Sequence, residues 1–168
     1  MQYVREAGSD PSFLLKALSE AGGELRRGYH GLSRRQLLAP ASGMDEGWSL
    51  LAIAVHMRDT ERGVAEQIDA ILSRRDPEIR YVDFDDIPFA EDVKEADEED
   101  VLDEFRWRRR HSSYLMWDLS PHDWERCGIH PYRGRVSLLQ IARELYQHDL
   151  EHLWQGRRLL DAMGHRGR

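Results

Sequence analysis

The sequence predicts an all-α protein, a four-helix bundle with a long connection between its second and third helices. Three observations carry this. Four stretches repeat apolar residues at steps of three and four, the period of a helix buried on one face. Capping residues stand at the starts of these stretches. No stretch shows the strict alternation of a half-buried strand. The chain has 168 residues, which suits one domain with one sizeable core, and residues 1–168 are read as that domain.

Residues 1–9 read as a loose arm. Asp10 and Pro11 then supply an N-cap and a proline at the first helical position. Phe13, Leu14, Ala17, Leu18, Ala21, Leu25 and Tyr29 keep the helical period, so a first helix is expected over about 11–30, weakened locally by Gly22 and Gly23. Ser33 and Gln36 form a capping box for a short turn of helix. Residues 39–47, APASGMDEG, are turn chemistry.

A second helix is expected from Trp48 or Ser49 to Ser73, ended by Asp76-Pro77. Met57, Val64, Ile68 and Ile71 spread apolar surface widely around it, as on a helix with several neighbours. Residues 76–97 read as irregular. Ile87, Pro88 and Phe89 are expected to dock this connection onto the bundle, while its acids lead into the next helix N-terminus and complement the macrodipole. The third helix spans about 98–118, with Val101, Leu102, Phe105, Trp107, Ser112, Leu115 and Met116 on its inner side. Its run RWRRRH, Arg106–His111, reads as a solvated face answering the acidic connection.

Ser120, Pro121 and Asp123 set a short helix. Residues 127–135 read as a loop with the character of a hairpin-like lid. The last helix, about 136–163, opens with a capping box of Ser137 and Gln140 and a hydrophobic staple of Val136 and Ile141.

A net charge of −7 argues against nucleic acid as the main partner, because phosphate binding needs a basic surface. The single cysteine, Cys127, excludes an intrachain disulfide framework, and the N-terminal MQYVREAGSD has no apolar core of a signal peptide. With a single cysteine and no run long enough to cross a membrane, a cytoplasmic location is the default expectation. Apolar surface on more than one helix face predicts a homodimer.

The last helix carries the chemistry. Ile141, Leu145, His148, His152, Gln155 and Leu159 share one face, so two histidines one turn apart sit inside an apolar stripe. Burying two imidazoles costs free energy unless they are hydrogen-bonded or ligated. They read either as capped or solvent-facing histidines or as an i, i+4 pair offered to one metal ion. His56 on the second helix supplies a third ligand in principle, since bundle cores build metal sites from facing helices. Asp59, about 60° around the helix from His56, is the candidate catalytic acid: a base, a fourth ligand or an acceptor for an imidazole N–H. His148–His152 also spells H-x-x-E-H, an inverted zinc-protease pattern, but that class takes a downstream carboxylate and the one acid after His152 is Asp161. Cys127 lacks an evident histidine–acid pairing and is a poor nucleophile.

Over nearly its whole length the order of motifs resembles the DinB-like, or DNA-damage-inducible, four-helix bundles. The matching pieces are Trp48-Ser49, His56 with Asp59 and Glu61, Leu119-Ser120-Pro121 with Asp123-Trp124, Gly128-Ile129-His130, Gly134–Leu139, and His148 with His152. The resemblance implies that His56, His148 and His152 bind a divalent metal, with Zn²⁺ or Ni²⁺ first in expectation. It further implies a transferase or isomerase that uses a low-molecular-weight thiol such as mycothiol or bacillithiol, and damage-induced expression rather than DNA binding. Arg135, Tyr132 and the Arg106–Arg110 run are candidates to receive an acidic thiol. Two functional readings stand: an enzyme transferring a thiol to an electrophilic small molecule or hydrolysing one, and a non-catalytic metal-binding or stress-response bundle.

Overall fold

A computed structural model describes residues 10–164. The expected arm at residues 1–9 lies outside the described residues. In chain order the elements are α1 (Pro11–Tyr29), α2 (Arg34–Leu37), a single 3-10 turn (Gly43–Asp45), α3 (Leu50–Ser73), α4 (Ala90–Glu95), α5 (Glu98–Met116), α6 (Pro121–Trp124), β1 (Cys127–His130), β2 (Gly134–Ser137) and α7 (Leu138–Ala162). The long helices begin where the caps place them. The Asp10 side chain accepts from Ser12 N–H at 2.9 Å and Ser49 Oγ from Ala52 N–H at 3.1 Å. Asp97 accepts from Glu99 and Asp100, and the Ser137–Gln140 capping box starts α7.

The four long helices α1, α3, α5 and α7 pack in the cyclic order α1–α5–α3–α7. Consecutive helices α1 and α3 are therefore diagonal, as are α5 and α7, while α3 is flanked by α5 and α7. Two apolar clusters fill the interior. One gathers Leu25, Tyr29, Leu51, Ile53, Phe105 and Leu159. The other gathers Leu18, Val64, Ile68, Ile71, Ile141 and Leu145. Between them, at the same level on three helices, lies a buried polar layer: His56, Thr60 and Glu61 on α3, Arg109 and Ser112 on α5, and His148, Asp149 and His152 on α7.

Several sequence expectations are corrected. The hairpin-like character expected of 127–135 is borne out, but its arms are paired β-strands that run on to Ser137, joining Cys127 with Ser137 through to His130 with Gly134. It also holds the start of the α3–α5 connection, where Ile129 N–H donates to Pro77 O at 2.7 Å and Ile79 N–H to Ile129 O at 3.1 Å. The connection contains α4 rather than being irregular throughout. It docks through Ile79 and Val93, both buried, with Val82, Phe84 and Pro88 partly buried, whereas Ile87 and Phe89, expected to dock, are exposed, Phe89 by 78%. Gly22 and Gly23 do not break α1. Gly22 lets α5 approach, since a Cβ there would lie 2.9 Å from Arg106 Cγ.

Trp107 faces solvent, 64% exposed, where an inward side chain was expected. It is two residues from both Phe105 and Arg109, about 200° around the helix from the buried face. The solvated reading of the arginine run fails at Arg109, which is 2% exposed and lies in the polar layer.

Candidate metal centre

His56 is carried inward by α3, and α7 carries His148 and His152 on successive turns of its buried face. Because α3 and α7 are neighbours, the three imidazoles meet, with ring centroids 4.4–4.9 Å apart. One ligand atom from each lies within 4.8 Å of the others, and the Nε2 atoms of His56 and His148 are 2.7 Å apart. A Gln155 amide oxygen accepts from His152 Nδ1 at 2.7 Å, which leaves the His152 Nε2 lone pair for the centre. Trp48 covers His56 and His152 with its ring 5.3 Å from each, and Phe84 from the α3–α5 connection meets His148 edge-on at 5.1 Å.

Burial disfavours a charge on the His56 and His152 rings, and the neighbouring imidazoles add to it. Burial first, then His148 and His152, push the His56 pKa down to about 3. Burial and His148 push His152 down to about 4. The pair is therefore neutral at physiological pH, as a metal ligand must be. A tetrahedral ion with nitrogen ligands at about 2.0–2.1 Å sets its donors roughly 3.3 Å apart, a spacing that lies between the 2.7 Å His56–His148 contact and the 4.8 Å within which all three ligand atoms fall. The donor set fits a first-row divalent cation.

Three cavities reach the triad. One of about 420 Å³ is walled by His148 and by Tyr81, Asp85, Tyr132 and Glu151. A second, of about 580 Å³, is lined by His56 and Asp59 and shares Tyr81, Val82 and Asp83 with the first, so the connection strap separates them. His152 borders a third, more apolar groove of about 470 Å³ between α1 and α7.

Asp59 stands at the rim of the His56 cavity, its carboxylate held by Arg58 at 2.9 and 3.0 Å. Glu144 is paired with Arg133, and Glu151 is exposed. Asp161, the acid that an inverted zinc-protease pattern would need, pairs with Arg157 on the surface, and the side chain that stands beside His148 and His152 is upstream His56. Of the residues considered for an acidic thiol, only Tyr132 lines a cavity that reaches the triad; Arg135 pairs with Asp76 and shares a separate cavity with Cys127. Sequence reasoning missed Phe84, Asp149 and Arg109. Asp149 is visible as an acid on the flank of an apolar stripe, and Arg109 as the residue one turn after Phe105.

The sequence model of the DinB superfamily matches residues 12–155. The chain belongs to the DinB superfamily. A comparison with curated proteins finds no match. Among solved structures, this DinB-superfamily chain is similar to YfiT from Bacillus subtilis, described as a probable metal-dependent hydrolase with an unusual four-helix bundle topology. The TM-score is 0.81 at 20% sequence identity, over 93% of this chain and 89% of that one. That likeness is one of fold. No helix among the described residues is long and apolar enough to cross a membrane.

Proposed function

We propose that this DinB-superfamily chain is a metal-dependent enzyme acting on a small molecule, by hydrolysis or by transfer of a low-molecular-weight thiol, with His56, His148 and His152 as the metal ligands. The observation that carries this is the meeting of three buried imidazoles from two helices at the wall of open cavities. A Zn²⁺ or Ni²⁺ ion held there supplies Lewis acidity, making a water or thiol nucleophilic at neutral pH. Trp48 and Phe84 exclude bulk water from two sides, and Gln155 fixes the His152 ring. Asp59, at the rim of the His56 cavity, is the acid assigned to proton transfer.

The His148 cavity favours a neutral or cationic substrate. Asp83, Asp85 and Glu151 line it, Arg133 is already paired with Glu144, and two tyrosine rings, Tyr81 and Tyr132, pack 5.5 Å apart at its mouth. Carboxylates and aromatic faces attract cations, whereas a polyacidic thiol meets repulsion there.

Elemental analysis of untagged protein, purified without chelator beside a His148→Ala, His152→Ala variant, tests the site. The expected result is near one equivalent of a transition metal in the wild type and none in the variant. A wild type that holds no metal and takes up neither Zn²⁺ nor Ni²⁺ removes the mechanism. Burial of all three histidines also favours a second, non-catalytic reading, in which the ion only holds the core. It predicts that chelation lowers the melting temperature while a panel of esters, amides and thiol–electrophile pairs shows no metal-dependent turnover.

A further inference from the structure

The Nδ1 atom of His148 is buried and has no hydrogen-bond partner. Its Nε2 faces His56 at the centre of the triad, so Nδ1 is the atom that carries the proton when Nε2 binds a cation. A buried N–H without an acceptor is costly, and histidine ligands ordinarily donate that proton to a carboxylate or carbonyl. A carboxylate oxygen is close at hand: Asp149 Oδ1 lies 3.8 Å from His148 Nδ1, beyond hydrogen-bond length but within reach of a small ring rotation.

Asp149 is itself held from behind. Arg109 forks onto it, with Nη2 donating to Oδ1 at 3.1 Å and Nη1 donating to Oδ2. Arg109 in turn donates through Nε to Glu61 Oε2 at 2.7 Å and through Nη1 to Leu18 O at 3.0 Å. Ser112 Oγ donates to the other Glu61 oxygen at 2.6 Å. This chain crosses three helices and Leu18 of a fourth, with every charged member buried. Such a network is an expensive way to fill a core, and its open end points at His148.

We propose that Asp149 is a positioning residue for the metal centre: it accepts the Nδ1–H of His148, and Arg109, Glu61 and Ser112 fix its carboxylate for that task. The inference rests on the metal reading above. His148 and His152 are then oriented by different acceptors, Asp149 and Gln155, one charged and one neutral. The charged acceptor ties the orientation of His148, and with it cation affinity, to Arg109 on α5.

The test compares wild type, Asp149→Asn and, as a control for lost stability elsewhere in the core, Ile71→Val. Zn²⁺ affinity is read by competition with a chromophoric chelator and ligand geometry by the visible bands of Co²⁺-loaded protein. Asp149→Asn should weaken Zn²⁺ binding about 10–100-fold and shift the Co²⁺ bands. Ile71→Val should lower the melting temperature and leave both readings unchanged. An Asp149→Asn protein that melts lower but keeps wild-type affinity and bands overturns the proposal. NMR of ¹⁵N-histidine-labelled, Zn²⁺-loaded wild type tests the contact even if the variant does not fold: a His148 Nδ1 proton shifted far downfield by a hydrogen bond to a carboxylate is expected, and one at the position of an imidazole N–H without an acceptor overturns the assignment. A wild type that takes up neither cation overturns the metal reading itself, and this inference falls with it.

Discussion

A guanidinium carries five N–H donors and keeps its charge, so an arginine with 2% of its surface exposed must find acceptors on every side. Arg109 finds them in Glu61, Asp149 and the Leu18 carbonyl, and its Cζ lies over the Phe105 ring, 5.0 Å from the centroid. Burial opposes the charge on Arg109, but Asp149 and Glu61 outweigh it and hold the guanidinium more firmly protonated than usual. Replacing one member of a buried ion network leaves the others uncompensated, which costs about 3–5 kcal/mol. Arg109→Met should therefore lose that much stability in urea unfolding, whereas Arg110→Met, on an exposed position of the same run, should change it by less than about 0.5 kcal/mol. Equal effects at the two positions would contradict the buried network. The sequence displays RWRRRH as one basic block, and composition alone cannot say which arginine is inside. The phase can: Leu102, Phe105, Arg109, Ser112 and Met116 are spaced by three or four.

At the scale of elements, the α3–α5 connection depends on a close approach to the hairpin. Gly128 on β1 sits so near the connection that a Cβ there would meet Ile79 Cγ2 at 2.5 Å and Ile71 Cγ1 at 3.1 Å. Gly128→Ala must push Ile79 outward, a cost of about 1–3 kcal/mol for overpacking. Five residues beyond Ile79, the same connection carries Phe84, which meets His148 edge-on. Hydrogen exchange at the Ile79 amide, which donates to Ile129 O, should accelerate in the variant; unchanged protection would show that the connection absorbs the methyl group elsewhere. A milder change tests the start of α7. Ser137→Ala removes one half of its capping box and should cost about 1 kcal/mol in thermal or urea unfolding. The long helices and their caps are legible in the sequence because period and cap chemistry reinforce each other over many residues. The hairpin is legible only in outline, as a hairpin-like loop over 127–135, because each strand has four residues and too few alternations to fix its strands or register. The docking of the connection is also illegible: its apolar residues are scattered, and tertiary contact alone selects Ile79, Val82, Phe84 and Val93 over Ile87 and Phe89.

Across the whole molecule, the polar layer divides the interior into two apolar halves, and each of α3, α5 and α7 crosses it. The three histidines of that layer were readable from the sequence as one constellation because two lie on one stripe and the third recurs at a matching place on another apolar helix; which helices adjoin was not, since the diagonal placement of consecutive helices is set by packing. Stability should accordingly track the protonation of this layer. His56 and His152 have folded pKa values of about 3 and about 4, below the roughly 6.5 of an exposed imidazole. Between pH 6.5 and those values the unfolded chain binds protons that the folded chain refuses. Their contribution is intact above pH 6.5 and is lost as the pH falls, by up to about 1.4 kcal/mol per pH unit for each histidine. A cation on the triad reinforces the same sign, since it too requires neutral rings. At a free Zn²⁺ concentration one hundred times the dissociation constant it adds about 2.7 kcal/mol, or about 5–10 °C in melting temperature for a chain of this size. Urea unfolding at pH 7.5, 6 and 5, with and without Zn²⁺, separates the two effects: the apo protein should weaken steadily from pH 6.5 downward, and the Zn²⁺ increment should shrink over the same interval as protons compete for the ligands. A flat apo profile would mean that the imidazoles are charged or solvated in the folded state, and the buried triad would have to be redrawn.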